Sequence, residues 1–376
     1  MRRVGGPRRP VRSHRFSFTA GGVRTDVVVG ADAFRVLASR LPEIGPGRWF
    51  LVSSRKVFAR HGERLLAKAG EPLDRVPLFV PDGEAAKTWE VLGRLLSGLV
   101  HRGLKRDGGI VALGGGTVGD VAGLAAALAL RGVPVVQAPT TLLAAADSAL
   151  GGKTAVDLPG GKNLVGAFHM PRLVAVEPEV LSTLPDRAYR SGLAEVVKSA
   201  LLSRPFFRAM TRLAAGLASR RPGDVAEAVR RSLAMKAAVV AADPFERRGR
   251  RAALNLGHTI GHALEAASGY RLTHGEAVAW GLLAALVLSG KHAGLPPRAA
   301  ASAVSWIHGL VRPPCPPAEA LRTWRERLAA DKKSDRSGLV AVLLSAPGRP
   351  VLRRVAPEAL AAALQACLPS YNHCET

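Results

Sequence analysis

Short apolar runs alternate with amphipathic stretches along the first half of the chain. Phe16 to Gly30 alternates around Val23, Val27, Val28 and Val29, which predicts early strands, a hairpin turning at Gly21-Gly22. Ala31 to Leu41 predicts a short amphipathic helix, and Arg48 to Ser54 a buried strand ending in a polar turn. Val57 to Ala69 reads as helix, Val76 to Val80 as strand, and Pro81-Asp82-Gly83-Glu84 as a turn. Ala86 to Arg102 is a helix with apolar positions at Leu92, Leu95, Leu96 and Leu99. The apolar strand Gly109 to Leu113 enters Gly114-Gly115-Gly116-Thr117-Val118-Gly119-Asp120 and an Ala/Leu-rich helix reaching Leu130. Val133 to Ala138 is the next strand. Strands alternating with helices predict an α/β unit with a mostly parallel sheet.

After Pro185 the strand pattern gives way to long Ala/Leu/Arg helices that continue to about residue 330. The domain boundary is therefore expected between Leu184 and Arg187. This gives an α/β domain over 16–186 and an all-α domain within a mainly helical 187–376. Near its end, Asp331-Lys332-Lys333, Leu339 to Leu344 and Gly348 predict a short hairpin-like element, followed by a helix from Pro357 to Cys367. No internal repeat is visible.

The 376 residues are enough for two domains and a sizeable core. No apolar span is long enough to cross a membrane, and the arginine-bearing N-terminus has no apolar signal region. Three cysteines, Cys315, Cys367 and Cys374, do not make a disulfide framework, and a cytoplasmic protein is expected. The formal charge is +24. Residues 1–15 carry Arg2, Arg3, Arg8, Arg9, Arg12 and Arg15 and no acid, the pattern of a disordered basic tail. Such a tail binds nucleic acid non-specifically or is a tolerated extension. Aromatics are only 5%, so no stacking platform accompanies it. The wider positive charge favours anionic substrates.

Four stretches carry candidate chemistry. Gly114, Gly116 and Gly119 fit GxGxxG between a strand and a helix, where backbone N–H groups meet a pyrophosphate or a glycine turn simply packs under a helix. The acid expected after the following strand is missing, since that strand ends Gln137-Ala138-Pro139-Thr140-Thr141. A dinucleotide site here would belong to a topology other than the standard Rossmann unit. Lys153 and Lys162 sit in consecutive glycine-rich loops, each a compact charge for phosphate or carboxylate. Glu195 and Lys198 are i, i+3 on one helix, either a surface ion pair or a metal ligand beside a substrate-facing lysine. His258 and His262 are i, i+4 on one helix face, and His274 follows a break at Ser268-Gly269-Tyr270. Two imidazoles and a carboxylate hold a zinc-like ion with a position open to substrate; capping and core histidines are the other reading.

Taken together, GGGTVGDVAG, LRG, PTTLLA, DSALGGKTAVDLPGGKNLVGAF, LAEVVK, LNLGHTIGHALE and HGEAV resemble the 3-dehydroquinate synthase family of sugar-phosphate cyclases, from about Phe16 to Ala363. The resemblance implies metal ligands Glu195, His258 and His274, with zinc or cobalt as the ion. It implies NAD along Asp82, Gly83, Glu84 and Lys87, along Gly115, Gly116, Thr117, Val118, Gly119 and Asp120, and at Thr140, Thr141, Lys153, Lys162, Val180, Leu181, Ser182 and Thr183. Asp147 would sit by the nicotinamide and the substrate. Lys153, Asn163, Lys198, Lys236, Arg251, Asn255 and His262 would hold substrate hydroxyls, carboxylate and phosphate, with Lys332 or Lys333 as one more anion contact. Arg131 would reach the phosphate of the neighbouring subunit of a homodimer.

The implied substrate is 3-deoxy-D-arabino-heptulosonate 7-phosphate, in the shikimate pathway. Its carboxylate and phosphate match a lysine- and arginine-rich site. The family's route is transient oxidation by NAD, phosphate elimination, re-reduction, ring opening and intramolecular aldol closure, with NAD recycled. Three departures stand out. The first buried strand ends in Ser54 beside Arg55 and Lys56 where the family usually has an acid, which leaves NAD and NADP both open. Asp243 to Gly249 is one residue longer than the commonest form, and Asp157 stands where asparagine is more usual. Other sugar-phosphate cyclases with inosose- or valiolone-type products, and glycerol dehydrogenase-like metal-dependent alcohol dehydrogenases, are the competing readings.

Overall fold

A computed structural model describes residues 13–70, 72–329, 334–335 and 338–368. The chain divides into two compact units. The first holds residues up to Thr183 together with Arg220–Arg230; the second holds Leu184–Ser219 and the residues from Arg231 onward.

The first unit starts with an antiparallel hairpin, β1 (His14–Ala20) and β2 (Val23–Val29), turning at Gly21-Gly22, both of positive φ. Arg15, expected in the basic tail, is instead paired with Val28 in this ladder; the tail's residues 1–12 lie outside the described residues. Then come α1 (Ala33–Ile44), β3 (Trp49–Ser54), α2 (Arg55–Ala69), β4 (Leu78–Val80), α3 (Trp89–His101), β5 (Gly109–Gly114), α4 (Gly116–Leu128) and β6 (Val135–Pro139). The turn at Pro81–Glu84 runs into a 3-10 helix, Gly83–Ala86.

Beyond β6 the structure departs from expectation. Lys153 and Lys162 are not in loops: they lie in β7 (Lys153–Leu158) and β8 (Gly161–Phe168), a separate two-stranded antiparallel sheet. Glycines spaced along this hairpin hide its period-2 pattern. Gly166 shows why they are needed, because a Cβ there would fall 2.1 Å from the Thr154 carbonyl oxygen. A further strand, β9 (Leu173–Val176), and a short helix, α5 (Pro178–Ser182), complete the unit.

The main sheet has the order β1-β2-β9-β6-β5-β3-β4, parallel from β2 to β4. Its central strands β3, β5, β6 and β9 are buried along their whole length because both faces are covered. Phe50, Val52, Ile110 and Ala112 pack with residues of α3 and α4, while Trp49, Leu51, Val111 and Leu113 pack with those of α1 and α2. The chain runs from β3 outward to β4 and then returns to the other side of β3 as β5. The sheet's direction of growth therefore reverses between β3 and β5, and ligands of open α/β sheets bind outside the strand ends at such a point.

The second unit is helical: α6 (Asp186–Leu201), α7 (Arg204–Ala218), the greater part of α8 (Pro222–Ala242), α9 (His258–Ala267), α10 (His274–His292), α11 (Pro297–Trp306), α12 (Ala318–Ala329) and, after the strands, α13 (Pro357–Cys367). It is not all-α. Strands β10 (Ser334–Asp335), β11 (Gly338–Ala346) and β12 (Arg349–Val355) form a small antiparallel sheet, whose β11 packs on α10. Lys332 and Lys333 lie outside the described residues. Cys367 is a free thiol. Among the described residues no helix is long and apolar enough to cross a membrane.

Candidate metal centre and dinucleotide cleft

In the second unit α6, α9 and α10 pack closely enough to bring three donors together. Gly275, the second residue of α10, lies against α6: a Cβ there would fall 1.9 Å from the Ser191 carbonyl oxygen. Gly257, at φ +78, turns the chain into α9, and a Cβ would meet Leu282 at 2.9 Å. The result is a cluster of Glu195, His258 and His274, one ligand atom from each lying within 4.8 Å of the others.

The orientation of the rings is fixed from behind. His258 Nδ1 is 3.2 Å from the Leu256 carbonyl oxygen, and His274 Nδ1 is 3.1 Å from Glu265 Oε2. Each Nδ1–H donates to an oxygen, so each Nε2 turns its lone pair inward. Both Nε2 atoms face Glu195 Oε1, at 3.6 and 3.3 Å. Two nitrogen lone pairs aimed at a carboxylate oxygen repel unless a cation or a proton stands between them. The donor set therefore fits a divalent ion of the zinc or cobalt kind.

The protonation states of the metal-free cluster agree. Burial, reinforced by Lys198, holds His258 well below its ordinary value, so it is a neutral donor. Burial also opposes the charge on His274, but hydrogen bonds to Glu195 and Glu265 outweigh it and raise the imidazole to about 9. Burial works against Glu195 too, yet Lys198 and the two histidines hold it well below the usual carboxylate range.

Glu195 and Lys198 form an ion pair, but not a surface one: both are buried. His262 is exposed, its ring 5.0 Å from that of His258, beside the three-donor group and outside it. Lys236 and Arg251 are buried, and Asn255 ends a 3-10 turn, Arg250–Asn255. The loop before that turn is organised by Asp243, whose carboxylate accepts the backbone N–H groups of Arg247, Arg248, Arg250 and Arg251. The longer loop is thus a closed turn around one acid. Glu265 and Asp243 received no role from the sequence. Glu265 had a signal, since it follows His258 by two helical turns and shares its face.

In the first unit, the sheet's reversal point carries the glycine run. Gly115 caps α4 with no side-chain hydrogen bond of its own, leaving the first backbone N–H groups of that helix facing outward. A cleft there is lined by Gly116, Gly119, Asp120, Ser148, Lys153 and His169. Gln137, which stands where an acid was sought, donates to the Gly119 carbonyl from below. Asp147 lies in a π-helical turn, Ala144–Ser148. Asp82 at the end of β4 accepts from Ser54, and Glu84 pairs with Lys162. Thr140 is buried, and Thr141 caps the following turn.

Some expected contacts are not side-chain contacts. Val118, Val180 and Leu181 are core residues, so they offer only backbone to a ligand. Ser182 and Thr183 bond back to the Glu179 and Val180 carbonyls. Arg131 is exposed in a left-handed conformation, φ 68, at the end of the 3-10 turn that follows α4.

Residues 77–191 match the family model described as 3-dehydroquinate synthase N-terminal, and residues 192–334 the one described as 3-dehydroquinate synthase C-terminal. A 3-dehydroquinate synthase from Paracoccus denitrificans (strain Pd 1222) is 49% identical over 251 residues, covering 66% of this chain and 68% of that protein. One from Bordetella pertussis (strain Tohama I) is 44% identical over 303 residues, covering 79% and 82%. Among solved structures, 2-deoxy-scyllo-inosose synthase complexed with carbaglucose-6-phosphate, NAD+ and Co2+ superposes with a TM-score of 0.82 at 27% identity, covering 94% of this chain and 99% of that one. The 2-epi-5-epi-valiolone synthase of Streptomyces hygroscopicus subsp. jinggangensis 5008, with NAD+ and Zn2+ bound, reaches 0.80 at 28% identity, covering 91% and 96%. Glycerol dehydrogenase from Schizosaccharomyces pombe, at 17% identity and a TM-score of 0.62, shares the fold. With two adjoining family matches spanning most of its length and relatives above 40% identity, this chain belongs to the 3-dehydroquinate synthase family.

Proposed function

We propose that the protein converts 3-deoxy-D-arabino-heptulosonate 7-phosphate to 3-dehydroquinate and phosphate, as a carbon–oxygen lyase acting on phosphate. The observation that carries this reading is the three-donor cluster of Glu195, His258 and His274, with both imidazoles oriented by oxygens behind them. Relatives named for this activity, at 42–49% identity, support it. Bound to this chain, NAD supplies a reversible hydride acceptor and a zinc or cobalt ion supplies a Lewis acid for a substrate hydroxyl.

The chain's own residues do the rest. In the second unit the buried cations Lys198, Lys236 and Arg251 give fixed positive charge to a substrate carrying a carboxylate and a phosphate. His262, exposed beside the donor set, offers an imidazole to a substrate hydroxyl, and Asn255 offers an amide. In the first unit, the open N–H groups at the start of α4 suit a pyrophosphate, with Asp120 and Lys153 on the same cleft. Asp147, next to Ser148 of that cleft, is the acid for the nicotinamide side. Arg131 serves the site of a second subunit in a homodimer, and the enzyme works in the cytoplasm.

The test is phosphate release from 3-deoxy-D-arabino-heptulosonate 7-phosphate with catalytic NAD and added zinc or cobalt. Metal-dependent release with no net NADH supports the reading; intact protein that releases no phosphate refutes it. Heptulose 7-phosphates without the carboxylate, run in parallel, separate this activity from inosose- and valiolone-type cyclisation.

A further inference from the structure

The β7–β8 hairpin is irregular at one place. Val156 pairs with Val165 and Leu158 with Gly161, so a single residue of β7, Asp157, stands opposite Lys162, Asn163 and Leu164 of β8. Such a bulge frees backbone groups from the ladder and re-aims a side chain. Here the freed Asn163 N–H donates to Asp157 Oδ1 at 2.7 Å. Asn163 is held at φ 56, the left-handed region that asparagine tolerates better than most residues.

The same acid is tied to a buried lysine. The Asp157 N–H donates to the Lys87 carbonyl at 2.8 Å, and Asp157 Oδ1 lies 4.0 Å from Lys87 Nζ. Lys87, with 5% of its side chain exposed, donates from Nζ to Asp120 Oδ2 at 2.7 Å and to Asn163 Oδ1. Because a cation demands the amide oxygen, Asn163 must turn its NH2 outward. Its side chain therefore presents two donors to whatever lies in front of the hairpin.

We propose that Asp157 is a positioning residue: its carboxylate oxygen seats Asn163 at the bulge so that the Asn163 amide donates to a hydroxyl of the sugar-phosphate substrate. This rests on the reading above and on the family resemblance, by which Asn163 would meet substrate. The role needs an acceptor oxygen, not a charge, so Asp157→Asn should preserve it and Asp157→Ala should not.

The experiment compares the two variants with wild type by three readouts. In Asp157→Ala, kcat/KM for 3-deoxy-D-arabino-heptulosonate 7-phosphate falls by about a hundredfold, the effect of misplacing a contact by about an ångström. NAD affinity, read from protein fluorescence, stays at the wild-type value, and Asp157→Asn recovers most of the activity. Independently of turnover, hydrogen exchange at the Asn163 amide speeds up by about tenfold or more in Asp157→Ala and stays slow in Asp157→Asn. Asp157→Ala with wild-type kcat/KM overturns the proposal, as does Asp157→Asn behaving like Asp157→Ala. Parallel loss of NAD affinity and activity does so too, because a merely structural role would cause that. If wild type releases no phosphate, the functional reading fails, and amide exchange still decides whether Asp157 seats Asn163.

Discussion

Two buried lysines, one in each unit, show how similar groups serve different ends. Lys87 is surrounded by acceptors, Asp120, Asp157 and the Asn163 amide oxygen, which together answer its charge. Lys198 pairs with Glu195, but that carboxylate also faces the Nε2 atoms of two imidazoles. The first cluster answers its lysine's charge and fixes the geometry of a hairpin, leaving only the outward Asn163 NH2 for a ligand. The second has more inward-facing donors than its one lysine can answer, and it is arranged to receive a further cation. A polar cluster reads as a binding site when its donors and acceptors do not balance.

The most severe test of that contrast removes a donor. His274→Ala and Glu195→Gln should lower bound metal from about one ion per chain to none, measured by elemental analysis of dialysed protein. Activity should fall by about a thousandfold or more, the equivalent of several kcal/mol in the transition state. A variant that keeps its metal would erase the distinction between the two clusters.

The next effect is a linkage. The metal-free His274 is raised to about 9, so at neutral pH it carries a proton that a metal must displace, whereas His258 is already neutral. Metal affinity should therefore rise with pH up to about 9 and weaken as pH falls below it, with release of about one proton near neutrality. Calorimetry in buffers of different ionisation enthalpy reads that proton. No proton release would place the ion somewhere other than His274.

Stability separates the two lysines directly. Lys87→Met removes the cation that Asp120 and Asp157 share and should cost about 3 kcal/mol in denaturant unfolding, the low end for breaking a buried pair because both acids keep some solvent contact. Lys198→Met should cost less, because the His274 imidazolium remains beside Glu195, and added metal should restore the loss. Equal costs in both variants, unaffected by metal, would break the comparison.

Much of this was legible in the chain. The apolar runs at Trp49–Ser54 and Gly109–Gly114 announce strands covered on both faces, and the spacing of His258 and His262 marks one helix face. What was not legible has physical reasons. The β7–β8 hairpin looked like two glycine loops because its close strand contacts, as at Gly166, require glycine where strands normally show β-branched residues. Whether Glu195 and Lys198 were a surface pair or a metal ligand beside a lysine stayed open, because i, i+3 spacing specifies a shared face and says nothing of what covers it. Asp243 and Glu265 act on backbone N–H groups and on an imidazole Nδ1, contacts with no motif of their own.

The smallest expected effect concerns how firmly the second cluster is held. His274 is the first residue of α10, and a capping box fixes that helix start: the Thr273 hydroxyl accepts the Glu276 N–H, and Glu276 Oε2 accepts the Thr273 N–H at 2.7 Å. Arg187 then grips both oxygens of Glu276. Burial works against the Glu276 charge, but the hydrogen bonds from Arg187 and Thr273 hold its carboxyl below the ordinary value of 4.5. A depressed folded value means this stabilisation is present above 4.5 and is lost as pH falls through the depressed value. Thr273→Ala should cost about 1 kcal/mol of stability near neutral pH. It should also weaken metal binding by about tenfold, since the residue stands behind a ligand and not in the ligand set. Acid unfolding followed by circular dichroism should show the variant's deficit shrinking as pH falls from 4.5 through the depressed Glu276 value, beneath which the protonated carboxyl no longer completes the box in either protein. If the deficit instead persisted unchanged in acid, the threonine cap alone would hold His274 in place, and Arg187 and Glu276 would be bystanders to the metal centre.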